Sequence, residues 1–228
     1  FFGDNDFTLR LAPALTGTLL VVTPFLFKDL IGKRVAIIIS IFLLISPLLI
    51  YYSRFARNDI FIALVSVLLI NQIFNYVLNK SNNSKLIIIS ILLGLIFCIK
   101  EISFITIFIF GSFSLFFSNF NPLIKNKTTL NKKFTDIFLI LFLLSFPLSV
   151  PISSFIFDLI NINLVAPSGS IYQIGMPVGN IATYISILIS LVSLIISFIF
   201  GLLKFKKYWL IYFSISWIIF IIFHSTFL

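Results

Sequence analysis

Long apolar runs, each closed by a short charged or polar cluster, leave few folds open to this chain. They fall at roughly 11–27, 35–52, 60–78, 86–99, 102–117, 137–160, 181–203 and 208–227. Most approach the ~20 residues that an α-helix needs to cross a hydrocarbon layer of about 30 Å. Inside hydrocarbon, backbone amides must be hydrogen-bonded within their own segment, so runs of this length are expected as helices. With 60% hydrophobic and 10% charged residues, a fold in water would leave far more apolar surface than it could bury. The expectation is an all-α fold: a polytopic transmembrane helical bundle of seven or eight spans, with residues 1–228 as one membrane domain.

Only Lys100 and Glu101 separate the fourth and fifth runs. Joined, they would make a helix of about 32 residues and roughly 48 Å, too long for one span, so two spans are expected. Eight spans put the loops on alternating sides. One side then holds Lys28, Lys33, Arg34, Lys80, Lys85, Lys125, Lys127, Lys132, Lys133, Lys204, Lys206 and Lys207; the other holds Arg10, Arg54, Arg57 and Lys100. That split of twelve to four makes the lysine-rich side cytoplasmic and the chain a multi-pass plasma-membrane protein. The same clustering accounts for the net charge of +9 and argues against a nucleic-acid partner. Cys98 is the only cysteine and lies in an apolar run, so it reads as a small buried residue. The chain opens at Phe1 with neither an initiator methionine nor a signal-peptide pattern, which reads as a piece of a longer protein. Two N-x-S/T sequons, at Asn82 and Asn126, fall in loops assigned to the cytoplasm, where no glycan is added.

Acidic residues favour the other side: Asp4, Asp6, Asp59, Glu101 and Asp158, against Asp29 and Asp136. The densest charged group is Ser53-Arg54-Phe55-Ala56-Arg57-Asn58-Asp59, between the second and third runs. If that segment is helical, Arg54 and Arg57 lie one turn apart, and two guanidinium forks on one face would grip a phosphate or pyrophosphate. The plainer reading is that they snorkel to lipid headgroups and mark helix ends. Lys100 and Glu101 carry the same pair of readings: an ion pair at two helix ends, or a lysine that binds an anionic head group beside a carboxylate that holds it or meets an acceptor or metal. Asp4-Asn5-Asp6 matches the D-x-D pattern of many sugar-nucleotide enzymes and would suit a divalent cation. Two carboxylates before a helix also simply complement its dipole. His224 has no second histidine with which to hold a metal. The segment 161–180, with Pro167, Gly169, Tyr172, Gly175, Pro177 and Gly179, would either cover a site or connect two spans.

Several of these residues resemble one family. Phe2-Gly3-Asp4-Asn5-Asp6-Phe7-Thr8-Leu9-Arg10-Leu11-Ala12-Pro13-Ala14-Leu15 is similar to the stretch that leads into the second transmembrane helix of the protein O-mannosyltransferase and aminoarabinose-transferase superfamily. Ser46-Pro47 with Tyr51-Tyr52-Ser53-Arg54-Phe55-Ala56-Arg57-Asn58-Asp59 resembles its SR-x-x-R-x-D junction. Gly94-Leu95 and Lys100-Glu101 bring the wording nearest to the archaeal and bacterial flippase-activity-associated membrane proteins, and His224-Ser225-Thr226-Phe227 echoes a later element. The resemblance implies a GT-C glycosyltransferase that takes a sugar from a polyprenyl-phosphate donor at the outer membrane face. It places the first span and the principal catalytic carboxylate before Phe1. Arg54, Arg57 and Lys100, with Arg10 behind them, would then contact the donor phosphate, and Asp59 and Glu101 would orient them. A divalent metal is an open cofactor, and the expected partners are the lipid-linked donor, membrane lipid and a flippase or glycosylation machinery. The alternatives are a non-catalytic partner of such a flippase or polymerase, and a transporter. A transporter expects broken helices in matched halves, and Pro147 and Pro151 interrupt one run here.

Overall fold

The computed structural model describes residues 6–55, 57–78, 83–99, 103–120, 127–148 and 179–225, and every regular element among them is helical. In chain order these are α1 (Asp6–Val22), a three-ten turn (Thr23–Phe27), α2 (Lys28–Ile31), α3 (Lys33–Ile45), α4 (Pro47–Arg54), α5 (Asp59–Leu78) and α6 (Asn83–Ile99). Then come α7 (Ser103–Phe120), α8 (Lys127–Ser145), a three-ten turn (Phe146–Leu148), α9 (Gly179–Phe205) and α10 (Tyr208–Ser225). Three helical stretches, Arg10–Ile31, Asp59–Leu78 and Ile181–Phe205, are long and apolar enough to cross a membrane, and a fourth arises if the bent pair α3 and α4 counts as one span. Most of α6, α7 and α10 is equally apolar but shorter. The protein is an all-α membrane protein.

Among the described residues, which omit 149–160 of the sixth run, the apolar runs fall on these helices, and two of them differ from expectation in ways that matter for the site. The run at 35–52 is not one helix, because α3 and α4 meet at a 60° bend. Pro47 has no amide hydrogen and holds the preceding residue out of the helical region, and Ser46 is accordingly extended (φ −65°, ψ 116°). The run expected from 137 begins ten residues earlier, at Lys127, so Lys132, Lys133 and Asp136 lie within α8. Each of the latter two has a partner on another helix. The fourth and fifth runs are indeed two helices. Ser103 Oγ donates to Ile96 O at 2.7 Å, a reach that two turns of continuous helix, ~10 Å apart, would forbid.

The core sits around α6, which packs against α5, α8 and α10. Leu69, Ile89, Leu93, Ile96, Ile137 and Leu141 are fully buried there, with Trp209 and Tyr212. Two glycines let backbones approach. A Cβ at Gly94 would lie 2.8 Å from the Ser216 carbonyl of α10, and one at Gly201 would overlap the buried Trp209 indole. The close α6–α10 and α9–α10 contacts therefore require residues without side chains, the usual device of membrane helix pairs.

One end of this bundle is closed by charge. Asp136 accepts from Tyr76 Oη at 3.1 Å and pairs with Lys204 Nζ at 3.0 Å, which joins α5, α8 and α9. Lys85 Nζ donates to Asn75 O at 2.6 Å and Lys133 Nζ to Val77 O at 2.9 Å. Both carbonyls lie in the last turn of α5, where the helix offers them no amide, so the lysines act as its caps and complement its dipole. Replacing Tyr76 with Phe should lower stability by about 0.6 kcal/mol, the usual worth of one interhelical hydrogen bond in a membrane. Asp136→Ala should cost more, about 1–2 kcal/mol, because Lys204 then loses its counter-ion. Thermal unfolding of both variants in detergent tests that order; equal losses would show that the ion pair contributes nothing.

Candidate functional site

At the opposite end of α5, some 30 Å away by helix rise, lies the junction that the sequence singled out. Pro47 starts α4 and Arg54 ends it, since Phe55 is extended (φ −98°, ψ 138°). Arg54 and Arg57 are therefore not one helical turn apart, and the expectation of two forks on a single helix face is corrected. The break gives the two arginines different partners. Arg57 Nε pairs with Asp59 Oδ2 at 3.2 Å, and its guanidinium lies 6.0 Å from the centre of the Tyr52 ring. Asp59 is also the first residue of α5, where a carboxylate favours the helix dipole. Arg54 is exposed and has no ion-pair partner among the described residues.

Arg54 instead borders a cleft of about 330 Å³ between α1, α3 and α4. Ala14, Gly17 and Val21 form the α1 wall; Leu44, Leu49 and Ile50 lie opposite. The bend at Pro47 makes this space, because it swings α4 away from the line of α3. Gly17 then sets how closely α1 and α4 meet: a Cβ there would lie 2.7 Å from Ser53 Cβ. Ser53 itself is turned back onto Ile50 O at 2.9 Å. An exposed guanidinium at the edge of an apolar cleft can hold an anionic head group while its apolar tail lies inside.

Between Arg57 and Asp59, Asn58 Nδ2 donates to Ile99 O at 3.0 Å, across 41 residues of chain. The last turn of α6 is thereby tied to the junction, and Lys100 and Glu101 follow it directly in sequence. Lys100 and Glu101 lie outside the described residues, as do Asp4 and Asn5, Pro151, and residues 161–178; of Asp6 and His224 only the backbone is described. Arg10 is exposed on α1, one helical turn before the cleft residue Ala14. Among the described residues no group of three or more His, Cys, Asp or Glu side chains gathers, so no metal ligand set can be assigned from them.

Sequence reasoning missed Asn58 and the cleft, and it treated Asp136 only as a minority charge. Asn58 carried no signal of its own. A signal for the cleft was present, since Ser46-Pro47 inside an apolar run predicts a bend and hence a gap. Asp136 was also visible as a lone acid among lysines in the sequence, although its partners on α5 and α9 were not.

Comparison with known proteins adds one finding: a family model described as dolichyl-phosphate-mannose-protein mannosyltransferase matches residues 1–150. No curated protein and no solved structure matches the chain.

The two ends of α5 should face opposite sides of the membrane. In a Cys98→Ser background, Arg54→Cys and Lys132→Cys should react with an impermeant maleimide from opposite faces of sealed vesicles. Labelling of both from one face would break the alternating topology.

Proposed function

Because this chain belongs to the dolichyl-phosphate-mannose-protein mannosyltransferase family, whose members are membrane glycosyltransferases of the GT-C type, we propose that it binds a polyprenyl-phosphate-linked sugar and takes part in transfer of that sugar at the outer membrane face. The supporting observation is the cleft at Arg54. Its walls are mostly apolar, as a prenyl chain needs, with the hydroxyls of Thr18 and Ser53 among them, and the cation at its edge has no counter-ion among the described residues.

In the transfer, an acceptor hydroxyl attacks the anomeric carbon, the bond from that carbon to the phosphate oxygen breaks, and polyprenyl phosphate departs with one more negative charge. The hydroxyl proton goes to a carboxylate base. Arg54 meets the phosphate and stabilises the charge as it develops; this raises the rate to the extent that the contact tightens in the transition state. Arg57 acts differently, because its pairing with Asp59 and its place beside Tyr52 make it a brace for the junction. Asn58 holds the end of α6, which Lys100 and Glu101 follow in sequence. The lysine-rich end faces the cytoplasm, and residues 1–228 form one membrane domain of a plasma-membrane protein with eight spans. Among family members, the flippase-activity-associated proteins offer the nearest wording, and a flippase or the glycosylation machinery is the expected partner.

The test is a transfer assay with the full-length protein in lipid, following labelled sugar from a polyprenyl-phosphate donor. Arg54→Ala should lower kcat/KM for the donor about tenfold or more, the usual scale for a charge-assisted contact, with unchanged thermal stability. Arg57→Ala should lower thermal stability as well as activity. Loss in Arg57→Ala alone would move the phosphate contact from Arg54 to Arg57. Absence of transfer from a broad donor panel would favour a non-catalytic partner of a lipid-sugar flippase.

A further inference from the structure

A second charged surface lies at the turn that joins α1 to α3. Lys28, Asp29, Lys33 and Arg34 fall there, and three cations against one acid leave the turn at +2. By helix rise, roughly 30 Å separates Lys28 from Arg10 at the other end of the same apolar stretch, about the thickness of a hydrocarbon layer. The turn therefore meets one membrane interface while Arg10 and the Arg54 cleft meet the other.

This turn is rooted in the bundle and open at its end. Thr23 and Pro24 are buried, and the three-ten turn that holds them packs on α3 and α5. Gly32 (φ 84°) then stops α2, and its amide donates to Lys28 O at 2.9 Å. Glycine takes that backbone conformation without strain. The closure brings Lys28 back toward the start of α3, whose first two residues are Lys33 and Arg34. All three cations are exposed, and none has an ion-pair partner among the described residues. Leu26, Leu30 and Ile31, on the same turn, are exposed as well.

Water suits the cations and not the leucines, and hydrocarbon suits the leucines and not the cations. The boundary of a bilayer suits both, because apolar side chains enter the acyl layer while long cationic ones reach up to the headgroups. Positive charge without a counter-ion at that depth attracts anionic headgroups, and each added cation strengthens the attraction.

We infer that the turn at 26–34 is a contact for anionic phospholipid. Leu26, Leu30 and Ile31 enter the leaflet on the lysine-rich side, and Lys28, Lys33 and Arg34 gather lipids of net negative headgroup around them. Because the turn joins two of the three helices that wall the Arg54 cleft, the same lipids hold the far ends of α1 and α3 at one depth. The contact stands whether or not the chain transfers sugar.

A reporter confined to the turn tests this. The full chain carrying Cys98→Ser and Leu30→Cys is labelled with bimane and placed in vesicles of equal phosphatidylglycerol and phosphatidylcholine, with one or the other brominated on its acyl chains. Brominated phosphatidylglycerol should quench the label severalfold more than brominated phosphatidylcholine. The same label at Phe42→Cys, an exposed position farther along α3, should show no such difference. Lys28→Gln with Lys33→Gln and Arg34→Gln should remove the preference at position 30 while helical circular dichroism is unchanged. If that triple variant does not fold, raising salt from about 0.01 M to about 1 M, which shortens the screening length about tenfold, should lower the preference severalfold with all three cations in place. Equal quenching by the two lipids, a preference that survives both the substitutions and the salt, or an equal preference at position 42 would each overturn the inference. Absence of quenching by either lipid would overturn it too, by placing the turn outside the bilayer and giving it to a protein partner.

Discussion

Hydrocarbon offers a peptide group no hydrogen-bond partner, and this constraint shapes the whole molecule. It confines the chain to helices and directs small polar side chains back onto their own backbones. Thr16 bonds Ala12 O, Ser90 bonds Leu86 O and Ser193 bonds Ser190 O, all within one turn. What a helix cannot satisfy by itself is its last turn of carbonyls, and the interhelical polar contacts gather there. Lys85 and Lys133 close the end of α5, and Asn58 closes the end of α6. Ser197 reaches Leu143 O, near the end of α8, at 2.6 Å. Thus the groups that satisfy helix ends are also the groups that join helices.

That rule is applied unequally at the two ends of α5. At the lysine-rich end, Asp136 gathers Tyr76 and Lys204, so α5, α8 and α9 are tied through one carboxylate. At the other end the described contacts of Arg57 with Asp59 and of Asn58 with Ile99 O lie near the surface, and a cleft is left between α1, α3 and α4. A membrane enzyme that must admit a long lipid from the side needs one end that can open while the other keeps the helices in register. The distribution of contacts here suits that division.

The architecture was readable from periodicity alone where a physical rule fixes the answer. Apolar runs must be helices in hydrocarbon, and Lys100 with Glu101 had to separate two of them, as the Ser103 to Ile96 bond now requires. What was illegible depended on contacts between distant segments. Nothing near Asp136 in the sequence names Tyr76, 60 residues away, or Lys204, and so α8 was expected to start only after its charges. Arg54 and Arg57 failed differently. Their spacing fits a helix turn, but the residues between them carry no stop signal comparable with Pro47, and α4 ends at Arg54 because of the surrounding fold rather than a local breaker.

The break between those arginines has a chemical consequence. Two adjacent guanidinium groups with no counter-ion would repel each other and bind an anion only after overcoming that repulsion. Ending α4 between them lets Asp59 neutralise Arg57 while Arg54 keeps its charge at the cleft. A single cation held by a braced junction is preorganised for a phosphate, whereas a close pair would have to be brought into position by it. In the proposed function the carboxylate of Asp59 would then serve recognition by giving Arg57 a partner other than the ligand. Under the proposed function, the SR-x-x-R-x-D wording would be a division of labour: one arginine for the ligand, one for the scaffold, and an acid that keeps them distinct.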